Sequence, residues 1–128
     1  MSELVCFTSD QIRAVWPEVS PHLQRGLDRG SNYTLRDIYK GLRRQKMQLW
    51  TSRNDVIEAA LVTSLQDGYC LLLCAGGSNA DEWVHWLPVI ERWAKEHGFN
   101  EMRLYGRIGW LRKLKGFRAV YTKMVKQL

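Results

Sequence analysis

Long apolar runs, prolines, histidines and paired cysteines are what this chain has least of. Nowhere in its 128 residues do about 18 apolar residues follow one another, the length a membrane span requires. Its start, MSELVCFTSD, has a short apolar run and a Glu where a signal peptide would carry basic charge. These absences predict a cytosolic protein with no membrane contact. Cys6, Cys70 and Cys74 are an odd number without framework spacing, which fits a reducing compartment. In an extended YCLLLCA segment, Cys70 and Cys74 would share a face about 13 Å apart, too far to bridge. His22, His85 and His97 do not stand at ligand spacing from the cysteines, so no metal site is predicted. With only Pro17, Pro21 and Pro88, and no repeat, low-complexity tract or Gly/Ser linker, residues 1–128 read as one domain. A composition 45% hydrophobic and 25% charged supplies a core without metal or disulfide help.

Acidic residues are missing from the whole stretch after Glu101. Met102 to Leu128 carries eight basic residues around the phrase GRIGWLRKLKGF, and against a formal net charge of +6 this leaves −2 for everything before it. Such a segment should meet an anion: a nucleic acid, an anionic cofactor or an acidic protein. Trp110, beside Arg107 and Arg112, is where a base or an adenine ring would stack. No helix-turn-helix, paired aromatic strand motif or finger spacing accompanies the charge. Of six tryptophans, Trp16, Trp83, Trp86 and Trp93 fall on expected buried helical faces, whereas Trp50 and Trp110 have no assigned place.

Local signals set out the elements. An edge strand at Leu4 to Phe7 precedes a capping box, Thr8 with Gln11, and a helix whose buried stripe is Ile12, Val15, Trp16, Val19 and Leu23. Pro17 and Pro21 should bend or break it within Ser9 to Arg29. Thr34 with Asp37 caps a second helix, with Leu35, Ile38, Tyr39 and Leu42 at helical spacing. Segments Met47 to Ser52, Val56 to Ser64 and Tyr69 to Ala75, joined by Asn54-Asp55 and Asp67-Gly68, read as an antiparallel meander. The third is apolar throughout and should be covered on both faces. Gly76, Gly77, Ser78 and Asn79 then read as the turn into a long helix, in which Pro88 predicts a kink or restart and which Gly98 ends. A strand from Glu101 to Tyr105, parallel to the last meander strand, a short helix around Gly109 to Lys115 and a strand from Arg118 to Val125 complete an α/β (α+β) domain. The sheet is mixed and mostly antiparallel, with helices on both faces in the order β-α-α-β-β-β-α-β-α-β.

A crevice opens beyond the carboxyl end of the last meander strand, the usual place for ligands in open α/β sheets. The turn Ala75 to Ala80 lines it, and a helix N-terminus there offers free N–H groups to a phosphate. The plainer reading of Gly76-Gly77 is a strand-to-helix turn that binds nothing.

The element order, together with Gly116-Phe117 after the short helix, resembles the GNAT superfamily of acyl-CoA-dependent N-acyltransferases over essentially the whole chain. WPEVSPHLQRGL, YTLRDIYKGL and QLW resemble small GNAT-like proteins of bacteriophages and prophages. The resemblance implies acetyl-CoA as co-substrate and an amine as acceptor. It puts pantetheine contacts at Leu73, Cys74 and Ala75, and pyrophosphate contacts at Gly76, Gly77, Ser78, Asn79 and Ala80. CAGGSNADEW departs from the family's turn, having no Arg or Gln at its start and one pair of adjacent glycines. Arg112 stands where many members carry the Tyr that protonates the thiolate, and Tyr105 where an Asn is usual; a cation such as Arg112 would stabilise the thiolate instead.

Glu58 is the only carboxylate placed well inside the sheet pattern, which suits a general base acting directly or through water; the solvated face of a sheet edge is the other reading. Tyr69, Tyr105 and Tyr121 are further acid candidates, with packing as their default role. Two other functional readings stand beside acyl transfer: a basic nucleic-acid-binding protein, and a catalytically inactive GNAT-fold interaction protein of a phage. The single closing strand, where the family ends in a hairpin, predicts a homodimer through that edge.

Overall fold

The computed structural model describes residues 3–28, 33–77, 80–104, 112, 114, 116–118 and 126–127, with backbone alone for 80–83. Among the described residues, five strands form one sheet in sequence order: β1 (Glu3–Phe7), β2 (Gln48–Arg53), β3 (Ile57–Leu65), β4 (Cys70–Gly77) and β5 (Met102–Leu104). All neighbours are antiparallel except β4 and β5, which are parallel as the strand–helix–strand reading requires. α1 (Ile12–Leu27) and α2 (Leu35–Arg43) cover one face, and α3 (Ala80–Glu96) covers the other. The expected short helix and closing strand lie outside the described residues, as does the dimer edge.

Both predicted capping boxes form. The Gln11 carboxamide accepts from the Thr8 N–H at 2.9 Å, and Asp37 accepts from Thr34 N–H at 3.0 Å while Thr34 Oγ1 accepts from Asp37 N–H. Gly98 (φ +90°) stops α3, with Phe99 N–H reaching back to the Ala94 carbonyl and Gly98 N–H to that of Lys95. These paired bonds consume carbonyls that the helix end leaves open.

Pro17 and Pro21 do not break α1, and Pro88 does not interrupt α3. Pro17 and Pro21 are four residues apart, so the bonds they cannot donate fall on one stripe, and both are exposed. Water takes up the freed carbonyls there, while the inner stripe of Ile12, Val15, Val19, Leu23 and Leu27 stays buried. Pro88 is likewise exposed, opposite the buried Leu87, Ile90 and Ala94.

β4 runs two residues further than its sequence suggests. Gly76 and Gly77 pair with Ala60 and Ala59, so they are strand residues and not part of the turn. Packing explains them. A Cβ on Gly76 would overlap the His22 carbonyl oxygen of α1, and one on Gly26 would overlap the Ala75 carbonyl oxygen and approach Cys74 Sγ to 2.9 Å. Helix and strand backbones touch here because neither residue carries a side chain.

A bulge shapes the same strand. Val62 pairs with Cys74 and Thr63 with Leu72, leaving Leu73 as an extra residue in the ladder. Leu73 and Cys74 both pack toward α1, and alternation resumes with Ala75 toward α3. Cys70 shares the α3 side with Leu72 by strand alternation. The two cysteines therefore occupy opposite faces, not one as a regular strand would give.

The tryptophans are redistributed. Trp50 is the core residue, 6% exposed, with its ring against Trp93 at 5.0 Å and its Nε1–H donating to Thr63 Oγ1 at 3.0 Å. Trp16, Trp86 and Trp93 are half-buried at the margins.

Gly76→Ala and Gly26→Ala should each cost about 1–3 kcal/mol, because helix and strand backbones must part to admit a methyl group. Urea denaturation measures this, with Val56→Ala, on an exposed turn, expected to shift stability by under about 0.5 kcal/mol.

Candidate functional site

The carboxyl end of β4 gathers most of the candidate residues. Among the described residues, β5 follows β4 only through Cys70–Met102, Leu71–Arg103 and Leu72–Leu104, whereas β4 continues to Gly77. From Leu73 onward the β5-side edge of β4 thus has no described strand partner. The bulge at Leu73 lies one residue past the last described pair, Leu72–Leu104, and bulges bend and twist the strand that carries them.

Glu58 stands at a second irregularity. Ser52 pairs with Ala59 and Arg53 with Ile57, so Glu58 is the extra residue of β3 in this ladder. It is half-buried, one residue from the Ala59 that pairs with Gly77, and its carbonyl oxygen would lie 2.5 Å from a Cβ at Gly77. The structure therefore brings Glu58 together with Leu73, Cys74, Ala75, Gly76 and Gly77 at one end of the sheet. Ala80 is the first residue of α3 and follows directly on this end. Arg112 is exposed and has no described contact to β4. Ser78, Asn79 and Tyr105 lie outside the described residues.

α1 fixes this end through one residue. Glu18 and His22, one turn apart, take both backbone groups of Ile57: the N–H donates to Glu18 Oε1 at 3.4 Å, and the carbonyl accepts from His22 Nε2–H at 2.9 Å. A carbonyl only accepts, so Nε2 carries the proton of this bond. Nδ1 of the same ring is buried and has no hydrogen-bond partner among the described residues. Sequence reasoning weighed His22 only as a metal ligand; the Glu-x-x-x-His spacing flanking a buried helical stripe was the available signal. On the α3 side, Trp86 Nε1–H donates to Ser52 Oγ at 3.0 Å, anchoring the helix to the adjoining strand.

The cysteines at the site are inert. Burial pushes the Cys74 thiol up to about 12 and that of Cys70 to about 11. Cys74 Sγ–H donates to the Leu23 carbonyl at 3.4 Å, a tie between β4 and α1. No cluster of three or more His, Cys, Asp or Glu able to hold a metal ion occurs among the described residues. No described helix is long and apolar enough to cross a membrane.

The raised thiol values have a consequence at alkaline pH. Above the ordinary value of 9.0 the unfolded chain releases protons that the folded chain retains, so folding stability falls as pH rises toward 11–12 and is unaffected by these groups below 9. Urea midpoints across that window should decline, and Cys70→Ala with Cys74→Ala should flatten the decline. Equal slopes for both proteins would refute this origin.

No protein-family model matches the sequence, and no curated protein does either. Solved structures do match in shape. A predicted acetyltransferase from Clostridium acetobutylicum, in a structure with acetyl-CoA, superimposes with a TM-score of 0.69 at 12% identity, over 99% of this chain and 96% of that one. A ribosomal-protein-alanine N-acetyltransferase from Brucella melitensis gives 0.68 at 12% identity, over 100% and 99%. A GCN5-related N-acetyltransferase from Ralstonia eutropha gives 0.64 at 14% identity, over 100% and 99%. The chain has the fold of the GNAT N-acetyltransferases.

Proposed function

We propose that the protein is an acyl-CoA-dependent N-acyltransferase that moves an acetyl group from acetyl-CoA to an amine. The observation that carries this reading is the match in fold to solved N-acetyltransferases over the whole chain, together with the bulge at Leu73 in the strand that such a coenzyme would follow. Backbone groups of Leu73, Cys74 and Ala75 on that edge suit the amides of a pantetheine arm. The amino end of α3, from Ala80, suits the phosphates, with Ser78 and Asn79 on the approach. Gly76 and Gly77 contribute backbone only, since packing already accounts for their missing side chains.

When bound, acetyl-CoA supplies an activated acyl group. Strand N–H groups polarise its carbonyl, and Glu58, directly or through a water, takes the proton of the incoming amine. As the N–C bond forms and the C–S bond breaks, Arg112 offsets the charge of the thiolate, with Tyr105 as the alternative proton donor that the resemblance suggests. The acetyl acceptor is an amine small or exposed enough to reach the end of β4.

A second reading, a GNAT-fold interaction protein without activity, draws on the two glycines. Both are consumed by the α1 and β3 contacts, in a segment where the family uses glycine for phosphate.

Acetyl-CoA should raise the melting temperature by several degrees; at 100 times its Kd a native-state ligand adds about 2.7 kcal/mol. Free coenzyme A should do nearly as well, and adenosine much less. No shift at millimolar acetyl-CoA would leave the interaction protein. Glu58→Gln should keep the shift while cutting thiol release with primary amines, including an alanine-initiated peptide, by roughly 10²-fold or more. An unchanged rate would remove Glu58 from the chemistry.

A further inference from the structure

A groove on the outer side of the first turns of α1 and α2 is used by nothing described above. It encloses about 320 Å³ and is lined by Arg13, Trp16, Pro17, Leu35, Arg36 and Tyr39. Nine residues of helix separate Arg13 from His22, roughly 13 Å along α1, so the groove is separate from the end of β4. Its floor is aromatic: the Trp16 and Tyr39 rings meet edge to face, 5.0 Å between centroids at 70°, and both are half-buried.

The walls are cationic. Arg13 and Arg36 are exposed, and neither is ion-paired to a described carboxylate. From Arg36 the exposed side of α2 continues through Lys40 to Arg43 and Arg44, one and two turns further on. Asp37, the one acid of this helix, is engaged by the Thr34 cap, whose hydrogen bonds hold its carboxyl below the usual range. Within residues 1–101, whose formal charge sums to −2, cations therefore cluster locally on this helix.

We propose that this groove binds single-stranded nucleic acid. A base stacks on the Trp16–Tyr39 floor, its phosphate lies between Arg13 and Arg36, and adjoining phosphates follow Lys40, Arg43 and Arg44. Aromatic platforms beside a cationic track are how single strands are held without sequence readout, because every base presents a flat face. Guanidinium groups serve both parts, pairing with phosphate through two N–H donors and stacking on rings. An acidic peptide would use the cations and leave the aromatic floor unused. A duplex would hide the base faces that the floor accepts.

Fluorescence anisotropy of a labelled oligothymidylate of about 15 nucleotides tests the proposal at low salt, with a duplex and a polyglutamate peptide of equal charge as competitors. The strand should bind with an affinity that falls steeply as salt rises, and should quench tryptophan emission. Arg13→Ala with Arg36→Ala, both exposed positions, should weaken binding about tenfold or more and reduce the salt slope. Tyr39→Leu, which keeps an apolar side chain at that position, should weaken binding with the slope unchanged, since it removes stacking and not charge; its urea midpoint checks the fold. Arg118→Ala with Lys126→Ala should leave binding nearly intact. Absence of binding at low salt overturns the proposal, as does equal competition by the duplex or the peptide. Binding lost in the carboxyl-terminal variant and kept in the groove variants also overturns it.

Discussion

The architecture depends on α1 lying directly on the backbone of β4. Gly26 and Gly76 leave no side chain between helix and strand, so the His22 carbonyl, the Ala75 carbonyl and the Cys74 thiol occupy space that a Cβ would take. Once that distance is set, the remaining contacts follow from it. Cys74 reaches the Leu23 carbonyl, and Glu18 and His22 reach the two backbone groups of Ile57. The helix holds both the strand that would receive a coenzyme and the strand end that carries Glu58. Close packing transmits position over such short paths.

Residues that interrupt helices elsewhere are tolerated because of where this contact falls. With Ile12, Val15, Val19, Leu23 and Leu27 inward, Pro17 and Pro21 are forced outward, where lost donors meet water. The same partition explains why Trp16 and Tyr39 are half-buried: they pack against the margin of the core on one side and border the outer groove on the other. Charge obeys a different logic. The carboxyl-terminal run dominates by count, yet Arg103 within it is already bound to Glu101 at 2.8 Å and lies over the Tyr69 ring. Among the described residues, the exposed cations of α2 meet one carboxylate on their own helix, Asp37, which the Thr34 cap already holds.

Much of the fold was legible in the sequence because its signals are local. Capping boxes at Thr8 and Thr34, the turn at Asp67-Gly68 and the stop at Gly98 are short-range chemistry, and each marks an element boundary in the structure. What escaped depends on distant partners. Gly76 and Gly77 read as a turn because glycine is permissive, and only the approach of α1 and β3 shows that they are strand. Neither bulge is written in the residues that form it: Leu73 and Glu58 look like ordinary positions until the opposite strand is counted. That count also separates Cys70 from Cys74. The candidate site was proposed from the sequence as the end of β4, whereas the contacts that shape that end were not legible, since the grip of His22 and Glu18 on Ile57 spans more than thirty positions.

Leu73 carries one more implication. In a regular strand, odd and even positions alternate faces, and any inserted residue would turn every later side chain over. Here the insertion is absorbed on the spot, because Leu73 and Cys74 share a side, so Cys74, Ala75 and Gly76 face as they would if Leu73 were absent. The sheet's parity thus has no need of this residue. A chain shortened by Leu73 alone could keep Gly76 beneath α1 and Ala75 beneath α3, losing only the bend that the bulge puts into β4. One position therefore separates the geometry that bends the strand from the geometry that holds helix and strand together.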